Sequence, residues 1–329
     1  MSVYPTVEGE RRVPADRLRA VVADIFEHCG MSIEDASLLA ESLVQSDLRG
    51  VHSHGVLRVP EYVKKLRQDG VDPQGRPVVV KDAGAALVID GCNSMGQIGA
   101  TFTMRAAIAQ ARTTGVAAAA VRGSNHCGAM AFYVGMAADA EMVGMATTNA
   151  LPTMAAWGGL DKIVGINPLG VAIPALEESP IIFDGAFSGS AHGKIRVYAQ
   201  KGLPIPEGWA FDTAGHPTTD ATAALDGLLQ PIGGFKGIGL ALVFGLLSSL
   251  LSDAAYGTEL GNMVDGPTAG QDGHLFVVFN VAAFTDPLTF RQRVDAAIRQ
   301  IHESRRAPGV ERLYAPGELE LLKIGRAHV

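Results

Sequence analysis

Cysteine is scarce in this chain. Its three cysteines, Cys29, Cys92 and Cys127, are odd in number, far apart and without CxxC spacing, which rules out a disulfide framework and suits a reducing compartment. No dense run of Lys or Arg occurs and the formal net charge is -7, so a nucleic-acid partner is excluded, because displacing counterions from phosphates takes clustered cations. A small anionic ligand needs only a local cation and stays allowed. The opening segment MSVYPTVEGERRVPADRLRA has no apolar stretch of signal-peptide length, so the expected location is cytoplasmic. Uninterrupted apolar sequence is short as well: GIGLALVFGLLSSLLSDAAYG (237–257) is the most apolar run and falls below the roughly 20 residues of a bilayer span. A buried core helix is expected there, with no membrane partner. No HExxH motif and no Cys/His cluster occurs, so no metal is expected. Internal repeats and low-complexity segments are missing too.

What is present is a globular composition. With 329 residues, 47% hydrophobic and 19% charged, the chain can bury a sizeable core. PADRLRAVVADIFEHCG (14–30) carries apolar residues at helical spacing and ends on Gly30; Ser32 and Asp35 then resemble a capping box opening a second helix, 32–50. VPEYVKKLRQDG (59–70) reads as a third helix, with Pro60 in its first turn and Gly70 as its stop. From about residue 76 strands and helices alternate: two strands in 76–91, a helix over 95–115, a buried strand over 116–124, a helix over 129–142 and a strand over 143–149. The Gly- and Pro-rich middle, 159–175 and 180–195, reads as strands ending in functional loops. A strand in 273–284 and an amphipathic helix over 286–305 follow. The fold class is α/β.

Familiar nucleotide motifs nearly appear and fail. GSAHGK (189–194) is one residue short between its glycines for a P-loop, and Ile195 replaces the hydroxyl residue. Gly237 and Gly239 follow QPIGG rather than a strand, so the ordinary dinucleotide fingerprint is absent.

The densest chemistry lies in RGVHSHGVLR (49–58) and VRGSNHCGAM (121–130). His52 and His54 at i,i+2 share a face only on extended backbone, which argues against a helical metal pair. A structural role for one of them stays open, and acid-base chemistry is favoured because imidazole titrates near neutrality. If the stretch is helical, His54 and Arg58 lie on one face, so a guanidinium grips a carboxylate while the ring meets the neighbouring carbonyl. His126 sits in a strand-to-helix loop, where Ser124 and Asn125 are placed to orient it and Gly128 permits close backbone approach. Cys127 reads as packing, since nothing marks a lowered pKa.

These stretches, with GINPLGVAIPA (165–175), GWAFDTAGHPTTD (208–220), GGFKGIGLAL (233–242) and APGELE (315–320), resemble the malate/L-lactate dehydrogenase family of NAD(P)-dependent oxidoreductases, in consistent order from about residue 14 to 320. The resemblance implies a non-Rossmann dinucleotide-binding α/β core at 76–284. It also implies a helical substrate-side segment, 1–75 packed with 285–329, in one catalytic unit spanning 1–329. A homodimer with its active site near the subunit interface is implied as well. By position, it implies substrate contacts from His54 and Arg58, a proton carrier at His126, and Asp184 beside cofactor and substrate. It implies cofactor contacts from Asn149, Ala150, Asp184, Gly185, Ala186, Lys236, Gly317 and Glu318, with NAD or NADP as cofactor and a small carboxylate as substrate.

Departures touch preference more than reaction class. The segment expected as DMATS reads DGAFS (184–188), GGYKG reads GGFKG, and Ile166 lacks the hydroxyl often found there. The ending IGRAHV (324–329) looks like translated sequencing-adapter DNA where the family carries a charged helical tail, so a truncated gene is expected. The implied chemistry is hydride transfer between NAD(P) and a 2-hydroxy acid/2-oxo acid. A reductase of cyclic imino acids such as Δ1-piperideine-2-carboxylate is the alternative within that chemistry, and a catalytically inactive nucleotide-binding homologue is the alternative from another class.

Overall fold

The protein, seen in a computed structural model, is described over residues 13–324. All of the IGRAHV ending except Ile324 lies outside that range.

The chain opens with three helices, α1 (Ala15–Glu27), α2 (Ile33–Leu48) and α3 (Val59–Arg67). α1 buries Leu18, Val22 and Phe26 on one face, the i, i+4, i+8 stripe of an amphipathic helix. Ser32 caps α2: its Oγ accepts from the Asp35 backbone N–H at 3.2 Å and donates to the Asp35 carboxylate at 2.8 Å. Pro60 lies in the first turn of α3, as expected. Gly70 is not the left-handed stop, because Asp69 takes that conformation with φ 63°. Gly70 is needed for space instead, since a Cβ there would lie 2.0 Å from the Gly266 carbonyl oxygen. The three helices close around Phe26, Leu39, Leu43 and Tyr62, and Met95 and Ile98 seal them from the sheet side.

The strands are β1 (Val78–Asp82), β2 (Ala86–Asp90), β3 (Val116–Ser124), β4 (Val143–Thr148), β5 (Pro152–Met154), β6 (Val164–Gly165), β7 (Leu169–Ile173), β8 (Ile181–Gly185), β9 (Ala210–Phe211), β10 (Pro217–Thr218), β11 (Leu228–Leu229) and β12 (Asp272–Phe279). Seven of these form one mixed sheet in the order β1-β2-β3-β12-β4-β7-β8. Only β2 and β3 run parallel in it; its other pairs are antiparallel. The result is a mixed α/β fold in which the last strand lies at the centre.

α4 (Gly96–Thr114) and α5 (Met130–Asp139) cover one face. The Ala-rich strand β3 turns Ala117, Ala119 and Val121 into that layer, where they meet Met104, Tyr133 and Phe276; small side chains let helix and sheet approach closely. Alternation along β12 and β4 puts Thr147 on the opposite face, where its Oγ1 accepts from Ser248 at 3.3 Å. Ser248 belongs to α8 (Phe235–Leu250). Between β8 and α8 lie α6 (His192–Gln200) and α7 (Ala221–Asp226), and the chain closes with α9 (Pro287–Glu303) and α10 (Glu318–Leu321). α9 anchors the loop after β7, since buried Asp295 accepts the backbone N–H groups of Leu176, Glu177 and Glu178 at 3.0, 3.0 and 3.3 Å.

α8 corrects the expectation of a buried core helix. It turns Ala241, Gly245, Ser248 and Ser249 inward and leaves Val243 51% and Leu250 59% exposed. The reason is proximity: a Cβ on Gly273 of β12 would lie 2.5 Å from the Ser248 carbonyl oxygen, so only small residues fit between helix and sheet. Hydropathy alone does not say which side of a helix faces in. No described helix is long and apolar enough to cross a membrane.

One buried side chain ties the middle of the sheet. His274 of β12 is fully buried, with Nε2 at 2.8 Å from Ser124 Oγ on β3 and Nδ1 at 2.7 Å from Thr148 Oγ1 on β4. Burial lowers its pKa to about 4, so it is folded as neutral imidazole. The unfolded ring, near 6.5, takes up a proton first. Its stabilising contribution is therefore complete above about pH 6.5 and lost as pH falls toward 4, by up to about 3 kcal/mol. Thermal unfolding midpoints measured from pH 7 to pH 4 should fall less steeply in His274→Gln than in the wild type; equal slopes would refute this role.

Candidate active site

After α2 the chain makes two 3₁₀ turns, His52–His54 and Val56–Arg58, with three residues per turn. This geometry sends the two histidines to different neighbours. His52 Nδ1 lies 2.8 Å from Oδ1 of buried Asp47, whose Oδ2 accepts from the Val56 backbone N–H at 2.8 Å. Asp47 thus bridges the two turns. Gly55 is the residue that permits it, because a Cβ there would lie 2.1 Å from the Asp47 carboxylate oxygen. His54 and Arg58 line one cavity together. Ser53 Oγ is 2.9 Å from His54 Nδ1, and Arg58 is braced by donating from Nε to the Ser53 carbonyl and from Nη1 to Glu61, both at 2.6 Å.

The second loop arrives from the end of β3. His126 stacks on His54, with ring centroids 5.7 Å apart and planes 18° apart. Its approach needs Gly96 at the start of α4, where a Cβ would fall 2.0 Å from the Asn125 carbonyl oxygen. Asn125 and Ser124, expected to orient the ring, are engaged elsewhere. Asn125 holds Asn93, Ser94 and Gly270, while Ser124 holds His274. Tyr62 does the orienting: its Oη is 2.6 Å from His126 Nδ1 and accepts from Gln97 Nε2 at 3.1 Å. Asp47 and Tyr62 lie near the histidine motif in the sequence, but nothing there marked them, and Gln97 lies far from it along the chain.

Both rings are neutral in the ligand-free site. Burial first, then the Arg58 cation, lowers His54 to about 4. Burial, Arg58, His54 and His274 hold His126 well below the ordinary imidazole range. Burial pushes the Cys127 thiol up, so it is no nucleophile and packs as expected.

Two cavities meet at this point. The first, about 470 Å³, holds His54, Arg58 and His126 with Lys65, Lys162 and Arg196. Asn149 and Ala150 line it too, but the Asn149 amide is committed to Ser249, Ala255 and Gly273, and the Ala150 N–H to Asn167. The second, about 530 Å³, shares His54, Gly128 and Ile166 with the first and is lined by Asp184, Gly185, Ala186 and Gly317. Asp184 caps α5, accepting from the Ala131 N–H at 2.8 Å, and burial raises its pKa to about 6. Gly317 has φ 94°, and a Cβ would lie 2.8 Å from the Ile182 carbonyl oxygen, so glycine alone seats this turn on β8.

Two of the expected cofactor residues are not brought together with these. Glu318 turns away from the cavity to accept from the Ala315 N–H at 2.7 Å and pair with His302 at 2.9 Å. Lys236 is exposed on the first turn of α8 and lines neither cavity. The remaining features fit a dinucleotide: small residues form a cradle, the two spaces meet at His54, and buried Arg49 faces the second cavity with its Nε unpaired.

Comparison with known proteins agrees with this geometry. Residues 13–328 match the family model described as malate/L-lactate dehydrogenase. Over 319 residues the chain is 35% identical to the malate dehydrogenase of Pyrococcus horikoshii, covering 94% of this chain and 88% of that protein. It is 32% identical over 316 residues to the Delta(1)-pyrroline-2-carboxylate/Delta(1)-piperideine-2-carboxylate reductase of Pseudomonas putida, covering 95% of this chain and 91% of that protein. The solved structure of sulfolactate dehydrogenase from Methanocaldococcus jannaschii is similar with a TM-score of 0.89 at 34% identity, over 95% of this chain and 90% of that one. With that match running almost end to end, and with the histidine and arginine positions gathered at one junction, the chain belongs to the malate/L-lactate dehydrogenase family.

Proposed function

We propose that the protein transfers a hydride between NAD(P) and a small 2-hydroxy acid/2-oxo acid, with the carboxylate substrate in the first cavity and the dinucleotide reaching the junction from the second. The observation that carries this reading is the placement of His54, Arg58 and His126 on one cavity wall, with His54 shared by the neighbouring cavity. Arg58 binds the substrate carboxylate, its fork already held by Ser53 and Glu61. When bound, the reduced nicotinamide supplies the hydride to substrate C2. The stacked imidazoles handle the proton that appears on or leaves the substrate oxygen. They hold at most one positive charge between them, since each is desolvated and they lie side by side. A bound carboxylate offsets the Arg58 charge that depresses them, so substrate binding itself favours taking up that proton.

Helical segment and sheet both contribute to each cavity: Arg49, after α2, faces the second, and His126, from the end of β3, faces the first. The relative that reduces cyclic imino acids supports a second reading, reduction of a carbon-nitrogen double bond in the same cavity. The apolar face of α8, with Leu242 and Val243 exposed, supports a homodimer in which a second copy covers it.

Purified protein given NADH or NADPH with a panel of 2-oxo acids and cyclic imines should consume reduced nicotinamide with one of these classes, followed by absorbance. Binding of the nucleotide without turnover on any of them would favour an inactive homologue. Arg58→Ala should raise KM for carboxylate substrates about a hundredfold or more while leaving the cofactor KM nearly unchanged. In oxidation of the hydroxy acid, kcat/KM should hold from neutrality down to about pH 5 and fall toward the His54 pKa of about 4, because the base must be neutral. If neither His54→Ala nor His126→Ala alters that acid limb, the proton assignment fails. Ala186→Phe should abolish NADH binding by filling the second cavity. Sedimentation should show a dimer for the wild type and a monomer for the double variant Leu242→Glu, Val243→Glu; a monomeric wild type would overturn the interface.

A further inference from the structure

Arg49 stands out among the charged residues that the proposed chemistry leaves unused. It follows α2 directly, is 9% exposed and faces the second cavity. Its Nε is buried without a hydrogen-bond partner, and among the described residues its side chain has no ion pair. Glu320 and Asp184 act on it only through space, and Asp184 already spends an oxygen on the Ala131 N–H. A guanidinium cannot shed its proton, and a buried charge without a partner is costly. Such a group is retained where an anion completes it.

The position says which anion. Arg58 serves the carboxylate on one side of His54, whereas Arg49 lies five residues earlier on the other side, together with Lys194 and Lys323. Within a dinucleotide whose nicotinamide reaches the histidines, the strong anion common to both cofactor forms is the diphosphate bridge. We propose that Arg49 binds the diphosphate of the cofactor through its planar fork, which matches phosphate oxygens in pairs. This rests on the reading of the second cavity as the cofactor site.

The test uses the full chain and calorimetric titration with ADP-ribose, 2′-phospho-ADP-ribose and NADH. Arg49→Met should weaken all three by about tenfold to a hundredfold, Arg49→Lys by less, and the ligand-free melting temperature of Arg49→Met should hold or rise because an unpaired buried charge has gone. Binding within twofold of wild type in Arg49→Met would overturn the proposal. So would weakening confined to the 2′-phosphorylated ligand, which would assign Arg49 to that phosphate, or a fall in melting temperature alongside lost binding, which would mark a structural arginine. If Ala186→Phe binds ADP-ribose as the wild type does, the cavity assignment itself fails and takes this proposal with it; if Ala186→Phe abolishes binding while Arg49→Met does not, only the arginine's role fails.

Discussion

The carboxylate of Asp47 is the constraint on which the site depends. It is buried, it holds His52 with one oxygen and the Val56 N–H with the other, and it occupies the space that a side chain at position 55 would need. Those contacts fix two successive 3₁₀ turns, and the turns place His54 and Arg58 on the same wall. A buried carboxylate with both oxygens bonded is a rigid support, since losing either partner leaves a desolvated charge. The symmetric look of His-Ser-His therefore hides a division of labour. One ring is held by the scaffold and the other faces the cavities.

Electrostatics then follow from packing. Stacked imidazoles beside a guanidinium, all drawn out of water, settle as neutral rings and one permanent cation. The cation beside two neutral rings makes the cavity electropositive. Tyr62 and Gln97, reached from α3 and α4, hold the His126 ring in place, so its orientation is fixed by packing of the chain itself.

Much of this was legible in the sequence, and the gaps have physical causes. Periodicity marked α1 to α5 because their apolar stripes face a core, and the Ser32 cap could be read from its spacing to Asp35. The histidines stood out through the motifs around them. The partners of His126 did not, because Tyr62 and Gln97 reach it only through tertiary packing, and Ser124 and Asn125, its neighbours in the chain, turn elsewhere. The antiparallel surroundings of β12 were equally hidden, since strand order is not written in local pattern. α8 misled for a related reason: hydropathy records that a helix is apolar, while the glycine and serines at 245, 248 and 249 decide that its small side faces the sheet.

The central position of β12 has a consequence for how the chain is made. During synthesis β1 to β3 and β4 with β7 and β8 are all made before residues 272–279 exist, so the two halves of the sheet then have no strand to join them. Until then the Ala-rich edge of β3 and the edge of β4 both stand open, and open edges invite pairing with other chains. Completion requires contacts of long sequence separation, with Phe276 pairing to Ala119 and Ala146 at once, which slows folding. The strand that unifies the molecule is thus also the one that sets the period in which the nascent protein depends on protection from its neighbours.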